Sequence, residues 1–234
     1  MLNAVCGFIS ILLTLDGEIL NACWFVLLAG FLDALDGRVA RLSGVSSRFG
    51  IELDSLADFL SFGVAPCVLI YSLKLPVLGK LAWIIIGSVF IMAAGYRLAK
   101  FNLYADTEEK REFVGLPVPA AALALVGFII FCYELWGQVE YAQYLILMII
   151  LFAFLMISQV EYDTLPEDFR TPGGRIKLLV VITAVIAVIL SPRLLLFPVF
   201  ALYILFGMLR ELYRIFARGV VKVTGRNNRE ETDE

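Results

Sequence analysis

Ten residues of this chain have the types and spacing to do chemistry. Asp33, Asp36, Gly37, Ala40 and Arg41 form one group, and Gly50, Asp54 and Asp58 follow it, with Asn102 and Arg97 further on. At 100° per residue on an α-helix, Asp36, Gly37, Ala40 and Arg41 fall at roughly −60°, +40°, −20° and +80° from Asp33, so they share one face. Gly50, Asp54 and Asp58, at i, i+4 and i+8, make a second stripe on a second helix. If the two stripes face each other, four carboxylates converge, and such a cluster persists only with protons or cations between its members. Hard oxygen ligands on short side chains suit Mg²⁺ or Mn²⁺, and two ions can share such a site. Glycine clears space where a bulky ligand must approach the backbone, and the Arg41 fork matches phosphate. The combination points to metal-assisted phosphate chemistry.

The elements that must position these residues lie in a membrane. Of 234 residues 61% are hydrophobic and 13% aromatic, with a mean hydropathy of +0.88, far outside the range of soluble domains. A span needs about 20 apolar residues. The apolar runs, cut at polar or Gly/Pro punctuation, predict an all-α polytopic bundle of about eight spans: 2–15, 18–36, 49–73, 79–100, 117–136, 141–160, 176–191 and 194–212. The first is short, and lacks the basic region and cleavage site of a removable leader. The last cut falls at Ser191-Pro192-Arg193. Residues 1–221 are expected to form one transmembrane domain, and 222–234, dense in charge of both signs, a disordered tail.

Lys and Arg orient the bundle. With eight spans, one side receives Arg38, Arg41, Arg48, Arg97, Lys100, Lys110, Arg111, Arg170, Arg175, Lys177 and the basic residues of the tail, while the other receives only Lys74, Lys80 and Arg193 of the 19. Both termini and the Asp-bearing ends of the second and third helices are therefore expected in the cytoplasm, at the cell membrane. Pro66 should bend the third helix, whereas Pro117 and Pro119 fall at the start of the fifth, where proline is tolerated. The stretches from Asp106 to Glu112 and from Tyr162 to Gly174 are expected to be the larger cytoplasmic loops.

Composition also excludes. A net charge of −3 with no basic face argues against nucleic acid. The absence of histidine removes Ser-His and Cys-His nucleophiles and imidazole bases. Cys6, Cys23, Cys67 and Cys132 sit in apolar runs without a C-x-x-C pair, so they are read as reduced packing residues. Glu52 points about 160° from Asp54 on the same helix, so it is not read as a ligand.

The spacing D-x-x-D-G-x-x-A-R, eight residues, G-x-x-x-D-x-x-x-D resembles the signature of the CDP-alcohol phosphotransferases, and every fixed position is matched. Asn3 with Gly7 resembles the N-x-x-x-G of that family's first helix, although the preceding amphipathic stretch is missing and the helix is expected to be abbreviated. The flanks extend the likeness: Ser46-Ser47-Arg48-Phe49-Gly50; Ser61-Phe62-Gly63-Val64-Ala65-Pro66 after Asp58; Arg97-Leu98-Ala99-Lys100-Phe101-Asn102; and Gly115-Leu116-Pro117-Val118-Pro119. These are similar to the branch that transfers a phosphatidyl group from CDP-diacylglycerol to L-serine. The likeness covers roughly residues 1–125 well and the rest only in hydropathy.

The resemblance implies a six-helix catalytic core with a C-terminal hairpin, a homodimer among membrane lipids, and CMP as the leaving group. It implies Asp33, Asp36, Asp54 and Asp58 as metal ligands, Asp58 also as general base, and Gly37, Ala40 and Arg41 as the cytidine diphosphate site. Arg97 and Asn102 are the candidates for serine binding. A glycerol-phosphate or inositol-phosphate acceptor is the nearest alternative, and would call for more cationic residues than Arg97 and Lys100. A cation transporter would also place carboxylates in membrane helices, but would have no use for Gly37 and Arg41.

Overall fold

The computed structural model describes residues 1–43, 48–73, 79–105, 115–139, 142–158, 160, 162 and 172–230, with the backbone alone at 39–43, 104–105, 142, 172–174, 176–177 and 215–230. Every regular element among them is helical: α1 Leu2–Leu15, α2 Ile19–Ser43, α3 Arg48–Asp58, a π-helical segment Phe59–Val64, α4 Ala65–Ser72, α5 Lys80–Ala105, α6 Val118–Trp136, α7 Ala142–Ile157, α8 Pro172–Leu190 and α9 Pro192–Glu230. With α3, the π segment and α4 taken as one rod, the elements fall on the eight expected spans. Five are long and apolar enough to cross a bilayer, and Leu2–Leu15, Gln143–Ile157 and Leu178–Leu190 are shorter apolar helices. The chain is an integral membrane protein. The cut between the last two helices falls at Ser191, whose carbonyl accepts from the amides of Leu194 and Leu195 ahead of Pro192 in the first turn. Of the two expected loops, 106–114 and 163–171 lie outside the described residues, and α9 is helical through Glu230, over most of the stretch expected to be an unstructured tail.

α1 and α2 form a tight antiparallel hairpin. Gly17 adopts φ +83°, its amide bonds the Thr14 carbonyl at 3.1 Å, and the Glu18 amide reaches the Leu13 carbonyl at 2.8 Å. That pair of bonds is the Schellman ending, which needs a residue free to take positive φ. The helix it ends is inverted relative to a soluble one. Asn3, Cys6, Gly7, Ser10 and Thr14 are buried, while Leu2, Val5, Phe8, Leu12 and Leu15 are exposed. In lipid the apolar face has no reason to turn inward, and helices associate through small residues and hydrogen bonds. The Ser10 hydroxyl accordingly donates to the Ala22 carbonyl at 2.9 Å.

The bend expected at Pro66 takes the form of a widened turn. Pro66 has no N–H for the carbonyl four residues back, and just before it the Ala65 amide bonds Leu60, five residues back. The widening begins directly after Asp58 and lets three successive residues, Ser61, Phe62 and Gly63, all be buried.

α6 is the axis of the bundle. Twelve of its residues are buried, among them Ala120, Ala121, Ala122, Ala124 and Gly127. A Cβ at Gly127 would lie 3.0 Å from Leu196 and 3.3 Å from the Phe197 amide, so this glycine sets the approach of α9. Phe197 fills the remaining space edge-on to Phe128, centroids 5.0 Å apart. Glu134 at the end of α6 meets Arg193 at the start of α9 at 3.2 Å. At the other end Gly115, with φ +91°, donates to the Val160 carbonyl at 2.8 Å, pinning the entry to α6 against the exit of α7. All four cysteines are free, three of them buried.

Candidate active site

α2 supplies Asp33 and the second and third turns of α3 supply Asp54 and Asp58. One oxygen of each lies within 4.8 Å of the others, in a group able to hold a metal ion. Asp33 and Asp58 come into hydrogen-bonding contact, an arrangement that carboxylates keep only with a proton or cation between them. The donors are all hard carboxylate oxygens, which fits a divalent cation of the Mg²⁺, Ca²⁺ and Mn²⁺ type and not a soft thiophilic one. Asp58 lies at the inner end of the set, next to the buried π segment.

Asp36, one turn from Asp33, is outside the closest group. Its Oδ2 accepts from the Met1 amine at 2.7 Å, and it remains within electrostatic reach of Asp33 and Asp54. A Cβ built on Gly37 meets nothing within 4 Å among the described residues, so space adjoins the cluster on this face of α2. Ala40 and Arg41 continue the helix; their side chains lie outside the described residues.

Two other expected residues divide. Arg97 on α5 faces inward within electrostatic reach of Asp58 and of Tyr203 on α9, and its Nε is buried without a partner among the described residues. Asn102, also on α5, lies inside the helix and is half-buried. Its Oδ1 accepts from Ser55 at 3.0 Å and its Nδ2 donates to Glu52 at 3.2 Å. With both ends of its amide engaged, Asn102 clamps α5 to α3 and holds the carboxylate stripe. Glu52, as its helical angle predicts, turns away from the cluster and is exposed.

Three features were missed as site components. Asn3 on α1 is fully buried and donates from Nδ2 to Asp58 Oδ1 at 2.8 Å. Ser61 in the π segment donates to the Asn3 carbonyl at 2.8 Å. Tyr162 is buried, its ring 5.6 Å from that of Tyr203 and pressed on Gly207, where a Cβ would collide with it. The Tyr162 hydroxyl has no partner among the described residues. Burial raises its pKa, so it remains a donor at neutral pH. The Asn3–Asp58 pair spans 55 residues of sequence, and the local signals on α1 are the N-x-x-x-G likeness at Asn3 and Gly7 and the polar and small stripe that continues through Ser10 and Thr14.

A membrane bundle with space at a glycine beside converging carboxylates is an integral membrane protein with a candidate metal site at one end of its helices. The comparisons with known proteins agree. A family model described as CDP-alcohol phosphatidyltransferase matches residues 1–160, and the chain belongs to that family. A Helicobacter pylori protein named CDP-diacylglycerol–serine O-phosphatidyltransferase is 33% identical over 211 residues, covering 88% of this chain and 86% of that protein. A Methanocaldococcus jannaschii protein of the same name is 38% identical over 169 residues, 71% of this chain and 72% of its own. A Methanothermobacter thermautotrophicus archaetidylserine synthase is 38% identical over 164 residues, 69% of this chain and 66% of its own. The chain is thus a transferase of phospholipid biosynthesis.

Proposed function

We propose that the protein transfers the phosphatidyl group of CDP-diacylglycerol to the hydroxyl of L-serine, giving phosphatidylserine and CMP. The observation that carries the chemistry is the convergence of Asp33, Asp54 and Asp58 beside the space at Gly37. The choice of serine is supported by the names of relatives that match over most of both chains. Asp33, Asp36, Asp54 and Asp58 would hold Mg²⁺ or Mn²⁺, two ions in all. When bound, the ions supply positive charge against the diphosphate of the donor.

Gly37, Ala40 and Arg41 receive the cytidine diphosphate, Gly37 by absence of a side chain and Arg41 through its fork of donors. Asp58 accepts the proton of the serine hydroxyl as the new O–P bond forms and the bond to CMP breaks. Arg97 binds the serine carboxylate, and the Tyr162 hydroxyl supplies a second donor to the acceptor. Arg97 Nε and the Tyr162 hydroxyl are buried donors without a partner among the described residues, and such groups are normally satisfied by something. The acyl chains stay in the bilayer. Residues 1–221 form the catalytic domain and 222–234 a charged appendage. The protein works as a homodimer in the cell membrane, with its termini and the Asp-bearing helix ends in the cytoplasm, as the asymmetry of Lys and Arg supports.

The test is an acceptor panel with labelled CDP-diacylglycerol and protein purified into lipid nanodiscs. L-serine should release CMP while glycerol 3-phosphate and inositol phosphate do not. EDTA should abolish release, with Mg²⁺ or Mn²⁺ restoring it. Preference for a phosphorylated acceptor would move the protein to another branch of the family, and full activity in excess EDTA would remove the metal from the mechanism.

A further inference from the structure

We infer that Asn3 on α1 is a positioning residue for Asp58, fixing the rotamer of that carboxylate so that one oxygen is held by protein and the other faces the reaction centre. The inference rests on the reading of Asp58 as ligand and base. Asn3 is 0% exposed, and its Nδ2 donates to Asp58 Oδ1 at 2.8 Å. An ionised carboxylate only accepts, so the amide must present its nitrogen. That orientation leaves Asn3 Oδ1 buried with no partner among the described residues. A residue serving only to join helices would be expected to satisfy both ends of its amide, as Asn102 does.

The backbone that carries Asn3 is itself fixed to the segment that follows Asp58. Ser61 donates from Oγ to the Asn3 carbonyl at 2.8 Å. One turn along α1, Gly7 lets the helices meet at backbone distance, since a Cβ there would lie 2.5 Å from Ser61 Oγ and 2.8 Å from Ser61 Cα. The widened turn, by burying Ser61, brings this hydroxyl to α1 only three residues after Asp58. Carboxylate and amide are thereby held from both sides: Asp58 on α3, Asn3 on α1, and Ser61 joining the two backbones. Hydrogen bonds from outside the ligand set orient metal-ligating side chains, and their removal typically lowers metal affinity or activity by 10- to 100-fold.

The test compares wild type, Asn3→Ala, Asn3→Asp and Ser10→Ala in nanodiscs. Mn²⁺ binding is measured by electron paramagnetic resonance without substrate, and kcat and KM by CMP release. Asn3→Ala should weaken Mn²⁺ binding and lower kcat, each by about 10- to 100-fold, with the KM for CDP-diacylglycerol within about twofold of wild type. Asn3→Asp keeps the shape, loses the donor and should do at least as much damage. It also carries the test if the alanine variant does not fold. Ser10→Ala removes another buried α1 hydrogen bond, that to Ala22, and should alter stability only. If Asn3→Ala or Asn3→Asp matches wild type or Ser10→Ala in both Mn²⁺ binding and kcat, Asn3 is structural and the inference fails. Wild-type protein that neither binds Mn²⁺ nor releases CMP would overturn the reading of the site together with it.

Discussion

Adding one methyl group at Gly7 should damage catalysis more than folding. The ideal Cβ would lie 2.5 Å from Ser61 Oγ and 2.8 Å from Ser61 Cα. The hydroxyl can rotate away, but the Cα cannot. Carbon atoms rest at 3.5–4.0 Å, so Gly7→Ala must separate α1 from the π segment by about 1 Å. Overpacking of this kind costs about 1–3 kcal/mol, a loss that a bundle anchored by α6 should survive. The same shift stretches the 2.8 Å bonds from Asn3 to Asp58 and from Ser61 to Asn3 to about 3.8 Å, beyond hydrogen-bonding distance. A displacement of about 1 Å at a reacting group can lower turnover by about 10²-fold. The assay is kcat for CMP release beside thermal inactivation in nanodiscs. Gly17→Ala is the control, because it strains a positive-φ turn with nothing within 4 Å of its Cβ. Gly17→Ala should lower stability and spare kcat, and Gly7→Ala should show the larger loss in kcat. Wild-type turnover in Gly7→Ala would refute the claim that the α1 approach sets the geometry of Asp58.

Asp58→Asn keeps the shape and one metal-capable oxygen but cannot accept the serine proton. It should bind donor nearly as wild type while transfer slows by about 10²–10⁴-fold, and near-normal turnover would show that Asp58 is not the base. Gly37→Leu should leave stability unchanged or raise it by about 1 kcal/mol, leucine being the better helix former. It should nevertheless raise the KM for CDP-diacylglycerol, because the side chain enters the open space; an unchanged KM would place the donor elsewhere. Arg41→Ala should weaken CDP binding by about 1.5–3 kcal/mol, read by calorimetry, if its bond to phosphate is charge-assisted. Tyr162→Phe keeps the ring against Gly207 and Tyr203, so it should raise the KM for serine about tenfold without changing that for donor; equal changes in both would assign Tyr162 to packing alone.

Much of this architecture was legible because lipid and backbone geometry leave few choices. Apolar runs had to become helices, since in a bilayer only helices and closed barrels satisfy their own backbone. Their ends were marked by Gly17, Ser191 with Pro192, and Pro117 with Pro119. The i, i+3 and i+4 spacing put Asp33 on one stripe and Asp54 and Asp58 on another, and the structure brings those three together. The π segment was less legible. Pro66 announces a missing N–H, but whether the helix bends or widens depends on what the neighbouring helices fill, and here α1, α5 and α6 all bear on that segment. Asn102 was ambiguous for a related reason. Its partners Ser55 and Glu52 lie 47 and 50 residues away, and no local pattern reports a clamp between helices.

The role of α1 follows from a rule of lipid that is the reverse of the rule in water. In a soluble helix the apolar stripe marks the buried face, so Leu2, Val5, Phe8, Leu12 and Leu15 would claim the core. In a bilayer those residues cost nothing at the periphery, and the informative positions are those that would be costly there. An asparagine exposed to hydrocarbon has its amide unsatisfied, so Asn3 must face protein and meet a partner. Gly7, Ser10 and Thr14 repeat the same face at intervals of four, three and four, which makes it the stripe of close approach. A buried asparagine at the end of such a stripe, facing helices whose own polar residues are carboxylates, has few acceptors to choose from. Its donation to Asp58 is what that restriction leaves, and the shortest span in the chain thereby helps to build the site.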